Sequence, residues 1–152
     1  GQRSAHLLLA LIPCSPISNP AEVSMATRLQ HVSIPRPPGS DAAARHFYGD
    51  LLGLTELPPP KTLASIAVIW YALGDETELH LFEEDPTGQD RSGRHFCLAV
   101  DDLEDQRQRL EAAGVVVVSD VRITGRPRYF CRDPFANLIE LTTIEADYRL
   151  FA

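Results

Sequence analysis

His31, His80, His95 and Glu140 are the side chains of this 152-residue chain best suited to chemistry. Each lies in a short run of alternating apolar and polar residues. In LQHVSIP, Val32 and Ile34 share one face and leave His31 and Ser33 on the other. In TELHLFEE, Leu79 and Leu81 oppose His80 and Phe82. In RHFCLAV, Phe96, Leu98 and Val100 oppose His95 and Cys97, and in NLIELTT, Ile139 and Leu141 oppose Glu140. Strand side chains alternate with period two, so a one-residue slip in any run would undo the agreement. Imidazoles and a carboxylate converging on one sheet surface are a donor set for a divalent metal. The alternative is a wet sheet face that happens to carry histidines, and four aligned positions weigh against it.

The elements that must position these residues repeat. From Leu29 the order is strand, helix, then several strands, and from Arg94 it recurs. Ser40 is the expected N-cap of a first helix, DAAARHFYGDLLG, with Phe47, Leu51 and Leu52 inward and Gly53 as its stop. A second helix starts at Asp101 or Asp102 and runs LEDQRQRLEAAG, with Leu103 and Leu110 inward and Gly114 as its end. His31 to His80 is 49 positions and His95 to Glu140 is 45, so the halves correspond to within a short loop. Each half therefore reads β-α-β-β-β, with the helix on one sheet face and the His/Glu face left concave. PRPPGS and LPPPKTLAS are stiff connections, and DPTGQDRSG (85–93) has the composition of a linker between halves. The run around Trp70 is the most apolar and is expected to be central. Val115 to Val118 is expected as a short buried strand.

Length predicts one domain over residues 25–152, with modules at about 28–84 and 94–145. Residues 1–24 are expected to be a non-native or structureless leader ahead of Met25, the only methionine; an export signal is the alternative. The net charge of −7 and pI near 5.1 argue against nucleic acid and against an anionic membrane surface as partners. No apolar run approaches the ~20 residues needed to cross a bilayer. Three cysteines, with Cys97 and Cys131 expected as small core residues and Cys14 outside the domain, suit a reducing cytoplasm. Trp70 and Phe82 are candidates to line a substrate pocket, though aromatic strand residues also suit a core. Arg122, Arg126, Arg128 and Arg132 form a basic stretch in an acidic protein. Arg126 is singled out there as a clamp for an anionic group, against the alternative of a solvated face. His46, beside Arg45 on the first helix, is expected at the surface.

HVSI at His31, ARHFYGDLLGLTEL, ELHLFEE, RHFCLAVDDLEDQRQRLEAAGV and the closing RDPFANLIEL together resemble the vicinal oxygen chelate superfamily. This is the glyoxalase/bleomycin-resistance/dioxygenase group, and the resemblance covers about Leu29 to Ile144. It implies an α+β fold of two βαβββ modules forming a cupped mixed sheet around one divalent metal ion, Zn, Ni, Fe or Mn. The family's ligand positions fall on His31, His80, His95 and Glu140, the set already reached from alternation. Two features depart from the family. Glyoxalases have Glu, and the related acyl-CoA epimerases Gln, at the position of His80. The usual Asp-Pro-Asp-Gly-Asn turn is Asp133-Pro134-Phe135-Ala136-Asn137 here, and Asn137 is the expected residue to take the positive φ that glycine would have supplied.

The resemblance implies a metal-dependent lyase or isomerase that chelates adjacent oxygens of a small substrate and stabilises an enediolate or other oxyanion. Glu140 would be ligand and general base, and His80 a fourth ligand or an acid/base. A ring-opening Fe(II) dioxygenase is the alternative, with His31, His95 and Glu140 as ligands and His80 as the extra histidine. That group carries a Tyr ten residues before the Glu, where this chain has Phe130 beside Tyr129. A metal-free small-molecule or antibiotic-sequestering protein is a third reading. An open cup with free sheet edges further implies a homodimer, in which modules pair within or between chains; in the second case His31 and His80 of one subunit would face His95 and Glu140 of the other.

Overall fold

The computed structural model describes residues 28–63, 65–74, 76–85 and 92–151. The expected leader, and residues 86–91 of the expected linker, lie outside the described residues. The first module comprises β1 (His31–Arg36), α1 (Asp41–Ala44) continuing as π-helical turns over Arg45–Leu51, β2 (Glu56–Leu57), β3 (Val68–Ala72) and β4 (Glu78–Glu83). The second comprises β5 (His95–Ala99), α2 (Leu103–Ala112), β6 (Val117–Ser119), β7 (Arg128–Arg132) and β8 (Leu138–Thr142). The sheets have the orders β1-β4-β3-β2 and β5-β8-β7-β6, the same permutation twice. In each, the first and last strands pair in parallel and the other neighbours antiparallel. The duplicated α+β arrangement of two mixed sheets expected from the sequence is therefore present, with β3 an inner strand. Among the described residues no helix is long and apolar enough to cross a membrane.

Alternation in the strands does what period two requires. Leu79, Leu81, Ile139 and Leu141 are fully buried, whereas His80 and Glu140 between them are only half-buried. The buried sides of both sheets feed one continuous core in which Phe47, Tyr48 and Leu81 join Leu110, Tyr129 and Ile139. Each such side chain removed from water contributes about 1.5–3 kcal/mol. Arg36 is also buried, at the end of β1, where its guanidinium pairs with Asp41 at 2.8 Å and Glu83 at 3.2 Å. A buried charge of that kind persists only because it is paired.

The helices differ in how closely they follow their signals. α2 begins as expected: the Asp102 carboxylate accepts from the Asp105 amide at 2.9 Å, and Gly114 ends the helix at φ +81°. At the first helix, Ser40 does not cap. Its hydroxyl donates to the Pro37 carbonyl, because the Pro37-Pro38-Gly39 turn folds it back. After one α-turn the helix widens to π spacing, which brings Ala44, Phe47, Tyr48 and Leu52 into the core and leaves Leu51 only partly buried. Tyr48, outside the expected apolar stripe, is completely buried.

Three further expectations are corrected. The expected buried strand at Val115–Val118 is the edge strand β6, with Val116 and Val118 exposed, because β6 pairs only with β7. Cys131 is a core residue but Cys97 is not: it lies exposed, opposite Glu140 in the β5–β8 register. The positive φ in the β7–β8 turn belongs to Ala136, at 73°, rather than to Asn137.

That turn joins the modules. Asp133 is buried and accepts from the Tyr48 hydroxyl at 2.6 Å, from Asn137 Nδ2 at 2.7 Å, and from the amides of Phe135 and Asn137 at 2.9 and 2.8 Å. Asn137 Nδ2 also donates to the Pro35 carbonyl of β1 at 2.9 Å. Elsewhere on the junction, Gln106 donates to the Leu51 carbonyl at 2.7 Å and Arg109 to that of Asp50 at 2.8 Å.

Burial raises the Asp133 pKa above the ordinary carboxylate value, and its donors, Tyr48 first, oppose that rise. A raised folded-state value means that the contribution of Asp133 is complete at low pH and is lost as pH climbs through the folded value. Tyr48→Phe removes a donor to the ionised form and raises that value further. The variant is therefore expected to be less stable by about 1.5–3 kcal/mol at neutral pH, with a smaller deficit below about pH 4, where the carboxyl is protonated in both proteins. Urea denaturation at the two pH values checks this; an equal deficit at both would remove the charged hydrogen bond as its cause. Ala136→Gly relieves a left-handed backbone that costs an alanine about 1–2 kcal/mol. Set against the greater freedom of glycine in the unfolded chain, a net gain of about 0.5–1 kcal/mol is expected. A midpoint that does not rise would show the turn to be unstrained.

Candidate metal centre

His31 and His95 hold equivalent positions, each the first residue of a module's first strand, and each has Nδ1 on an oxygen just before it in the chain. In His31, Nδ1–H donates to Gln30 Oε1 at 2.7 Å; in His95, Nδ1–H donates to the Gly93 carbonyl at 2.8 Å. An oxygen acceptor at Nδ1 fixes the proton there and would leave Nε2 as the nitrogen able to face a cation, as such acceptors do behind metal-bound histidines. In the second module His95 Nε2 lies 3.0 Å from Glu140 Oε2. Strand β5 runs parallel to β8 with Cys97 opposite Glu140, so His95 reaches diagonally to the carboxylate.

Glu140 has a second partner that the sequence reading did not single out. Arg128 donates from one terminal nitrogen to Glu140 Oε1 at 3.1 Å and from the other to Asp120 at 3.3 Å. Its Nε donates to the Val121 carbonyl at 3.3 Å, and the guanidinium lies 5.3 Å from the Phe130 ring centre. Both carboxylate oxygens of Glu140 are thus oriented by named groups. Phe130 also meets His95 edge-on, with ring centres 5.1 Å apart. Alternation along β7 was the available signal, since it puts Arg128, Phe130 and Arg132 on the face that carries Glu140.

In the first module His80 is stacked between two rings. Trp70 lies 4.0 Å away on one side and His31 4.5 Å away on the other, and His80 Nε2 lies 2.7 Å from Glu78 Oε2. That hydrogen bond is the main reason that the Glu78 carboxyl is held below its ordinary range. Phe82 is half-buried two residues further along the same face. Arg126 occupies the tight turn ahead of β7, bridged to Ile123, where its charge helps to lower the Asp147 carboxyl after the larger effect of Arg149.

The chain thus assembles the four predicted side chains as two pairs, His31 with His80 and His95 with Glu140. Among the described residues no three His, Cys, Asp or Glu side chains of the single chain gather to hold a metal ion. Each pair lies on the sheet face opposite the core, and the donors, imidazoles in the first half and an imidazole with a carboxylate in the second, fit a divalent cation. Beside His95 lies a cavity of about 870 Å³, lined in part by Val116, Val118, Phe130, Arg132 and Leu138. That is within the range of small-molecule sites, about 300–1,000 Å³.

Comparison with solved structures places this arrangement. The chain is similar to a glyoxalase family protein from Bacillus anthracis, with 28% identity, TM-score 0.71, and coverage of 78% of this chain and 96% of that one. It is similar to TnmS3, an antibiotic binding protein from Streptomyces sp. CB03234, at 25% identity and TM-score 0.61 over 79% and 98% of the two chains. The genomically encoded fosfomycin resistance protein FosX from Listeria monocytogenes shares the fold, at 17% identity and TM-score 0.67 over 84% and 98%. No curated protein matches. The family model Glyoxalase/Bleomycin resistance protein/Dioxygenase superfamily matches residues 28–141, which hold both modules and all four candidate side chains, and the chain belongs to that superfamily.

Proposed function

We propose that this protein is a metal-dependent enzyme of lyase or isomerase type, acting on a small substrate with two adjacent oxygens, in a site assembled across a homodimer. The observation that carries the reading is that His31 and His95, at equivalent positions of the two modules, each have Nδ1 held by an oxygen, with His95 Nε2 turned to Glu140 Oε2. Lewis-acid stabilisation of the negative charge of an enediolate or similar oxyanion is the chemistry that a bound divalent cation supplies. His31, His95 and Glu140 would hold it, and Zn, Ni, Fe and Mn all suit two imidazoles and a carboxylate. Arg128 keeps Glu140 from turning away, which leaves Oε2 to ligate or to take a proton from a substrate carbon beside a carbonyl. His80 stands directly behind His31, and Trp70 and Phe82 line the same face. The superfamily context favours this reading, and so does the split of the donors into two pairs, since a second subunit can bring a His31 face to a His95 face.

Phe130 in place of a tyrosine hydroxyl beside His95 counts against the ring-opening dioxygenase. The sequestering alternative draws support from the apolar lining of the cavity and from the likeness to an antibiotic binding protein. Metal analysis of the purified protein separates the three: Zn or Ni supports the lyase or isomerase, Fe the dioxygenase, and high-affinity ligand binding without any metal the sequestering protein.

Glu140→Gln is expected to weaken metal binding by at least the roughly 10–100-fold that loss of an outer-shell partner costs. Any turnover should vanish while the denaturation midpoint stays close to wild type. Unchanged metal affinity would remove Glu140 from the donor set. For the shared site, His31→Ala and Glu140→Ala are each expected to bind no metal tightly. Co-refolding equal amounts should restore roughly a quarter of the wild-type capacity, because half the dimers are mixed and each mixed dimer has one intact site. No recovery in a mixture verified to contain mixed dimers would place the whole site within one chain.

A further inference from the structure

We infer that His80 is a positioning residue: the Trp70–His80–His31 ring stack sets the plane of His31, and His80 is not itself a ligand. The inference rests on the metal-centre reading above. The three rings are nearly parallel, with 5° between Trp70 and His80 and 12° between His80 and His31. Trp70 stands directly opposite His80 in the β3–β4 register, while His31 is opposite Glu78 and leans across to His80. Both faces of the His80 ring are therefore covered, and its Nε2 is held by Glu78 at 2.7 Å. Only 14% of its side chain is exposed. What separates His80 from His95, whose Nε2 also meets a carboxylate, is the covering of both ring faces: a swing toward a cation would separate both stacks.

His31 gains what His80 gives up. The lone pair of an imidazole lies in the ring plane, so two constraints aim Nε2: one on the plane and one on rotation within it. The stack supplies the first, and the Gln30 Oε1 acceptor at Nδ1 supplies the second. In the other module Phe130 meets His95 edge-on and the Gly93 carbonyl takes its Nδ1, so each module aims its histidine with one aromatic contact and one oxygen. The position filled by the stacked ring of His80 in the first module is filled by the carboxylate of Glu140 in the second, so the duplicated positions have taken different tasks.

The test uses full-length protein and the variants His80→Ala, His80→Phe, His31→Ala and Trp70→Phe, with His80→Leu substituted should His80→Ala not fold. In the metal-free protein, His80→Ala should displace the His31 ring-proton resonances and change the emission of Trp70, the only tryptophan. His80→Phe, which keeps the stack and loses both nitrogens, should leave the His31 resonances near wild type. In Zn²⁺ titrations, His80→Ala should bind about 10-fold more weakly, as expected for an orienting partner. His80→Phe should restore affinity to within about 3-fold, while His31→Ala abolishes tight binding. Loss of Zn²⁺ binding in His80→Phe equal to that in His31→Ala would make His80 a ligand and overturn the inference. Unmoved His31 resonances in His80→Ala would overturn it as well. Should wild type take up no Zn²⁺, Ni²⁺, Fe²⁺ or Mn²⁺, the metal-centre reading fails, and the His31 resonances alone support or overturn the stack.

Discussion

The buried carboxylate of Asp133 is the constraint from which the rest of the arrangement follows. A carboxylate removed from water is costly unless its lone pairs are taken, and here four donors take them. Two are backbone amides of its own turn, which fixes the connection between β7 and β8. The third is Tyr48, a completely buried side chain of the first helix, and the fourth is Asn137, whose amide also reaches the β1 carbonyl of Pro35. One group therefore sets the start of the strand that carries Glu140 and ties it to the strand that carries His31. A left-handed alanine is tolerated in the turn because charge-assisted hydrogen bonds outweigh about 1–2 kcal/mol of backbone strain.

The two modules repeat a backbone more faithfully than they repeat a chemistry. Strand order, parallel first-to-last pairing and an oxygen partner at Nδ1 of the leading histidine are common to both. The last strand differs. In the first module its polar residue is a ring held by stacking and a neighbouring carboxylate; in the second it is a carboxylate held by an arginine and a histidine. The difference follows from what each side chain needs when half-buried. An imidazole is satisfied by aromatic faces and one acceptor, whereas a carboxylate requires donors on both oxygens.

How much of this was legible in the sequence depended on the range of the signal. Alternation around His31, His80, His95 and Glu140 is local and absolute, since a slip would bury charge, and the strands keep it. Glycine stops and the Asp102 cap are equally local, and they hold. Tyr48 could not be read, because its burial follows from π-helical spacing and from a partner 85 residues away. Ser40 failed as a cap because the prolines before it offered its hydroxyl a nearer acceptor. Val116 and Val118 read as core by composition, but whether a strand lies at an edge is a property of the sheet. Arg128 is the arginine that touches Glu140, and that pairing exists only through antiparallel register, which no single run of residues reveals. Gln30 and Glu78, which hold the rings of His31 and His80, are likewise ordinary polar residues until the rings are in place.

The separation of the donors into two pairs bears on how such a site would be stable before any ligand arrives. Four bare imidazole and carboxylate groups forced together in one chain would leave unsatisfied polar edges in a cleft. Here each pair is already satisfied: His31 and His80 by Gln30, Glu78 and Trp70, and His95 and Glu140 by Gly93 and Arg128. Gln30 and Gly93 hold His31 and His95 at Nδ1, away from Nε2, so those two contacts need not be displaced by a cation; the contact between His95 Nε2 and Glu140 Oε2 is the one that would open. Arg128 adds the same economy on the carboxylate, holding Oε1 and leaving Oε2. The proposed assembly would therefore ask only the His95–Glu140 contact to open, while the contacts of Gln30, Gly93 and Arg128 that hold these side chains in the folded chain stay in place.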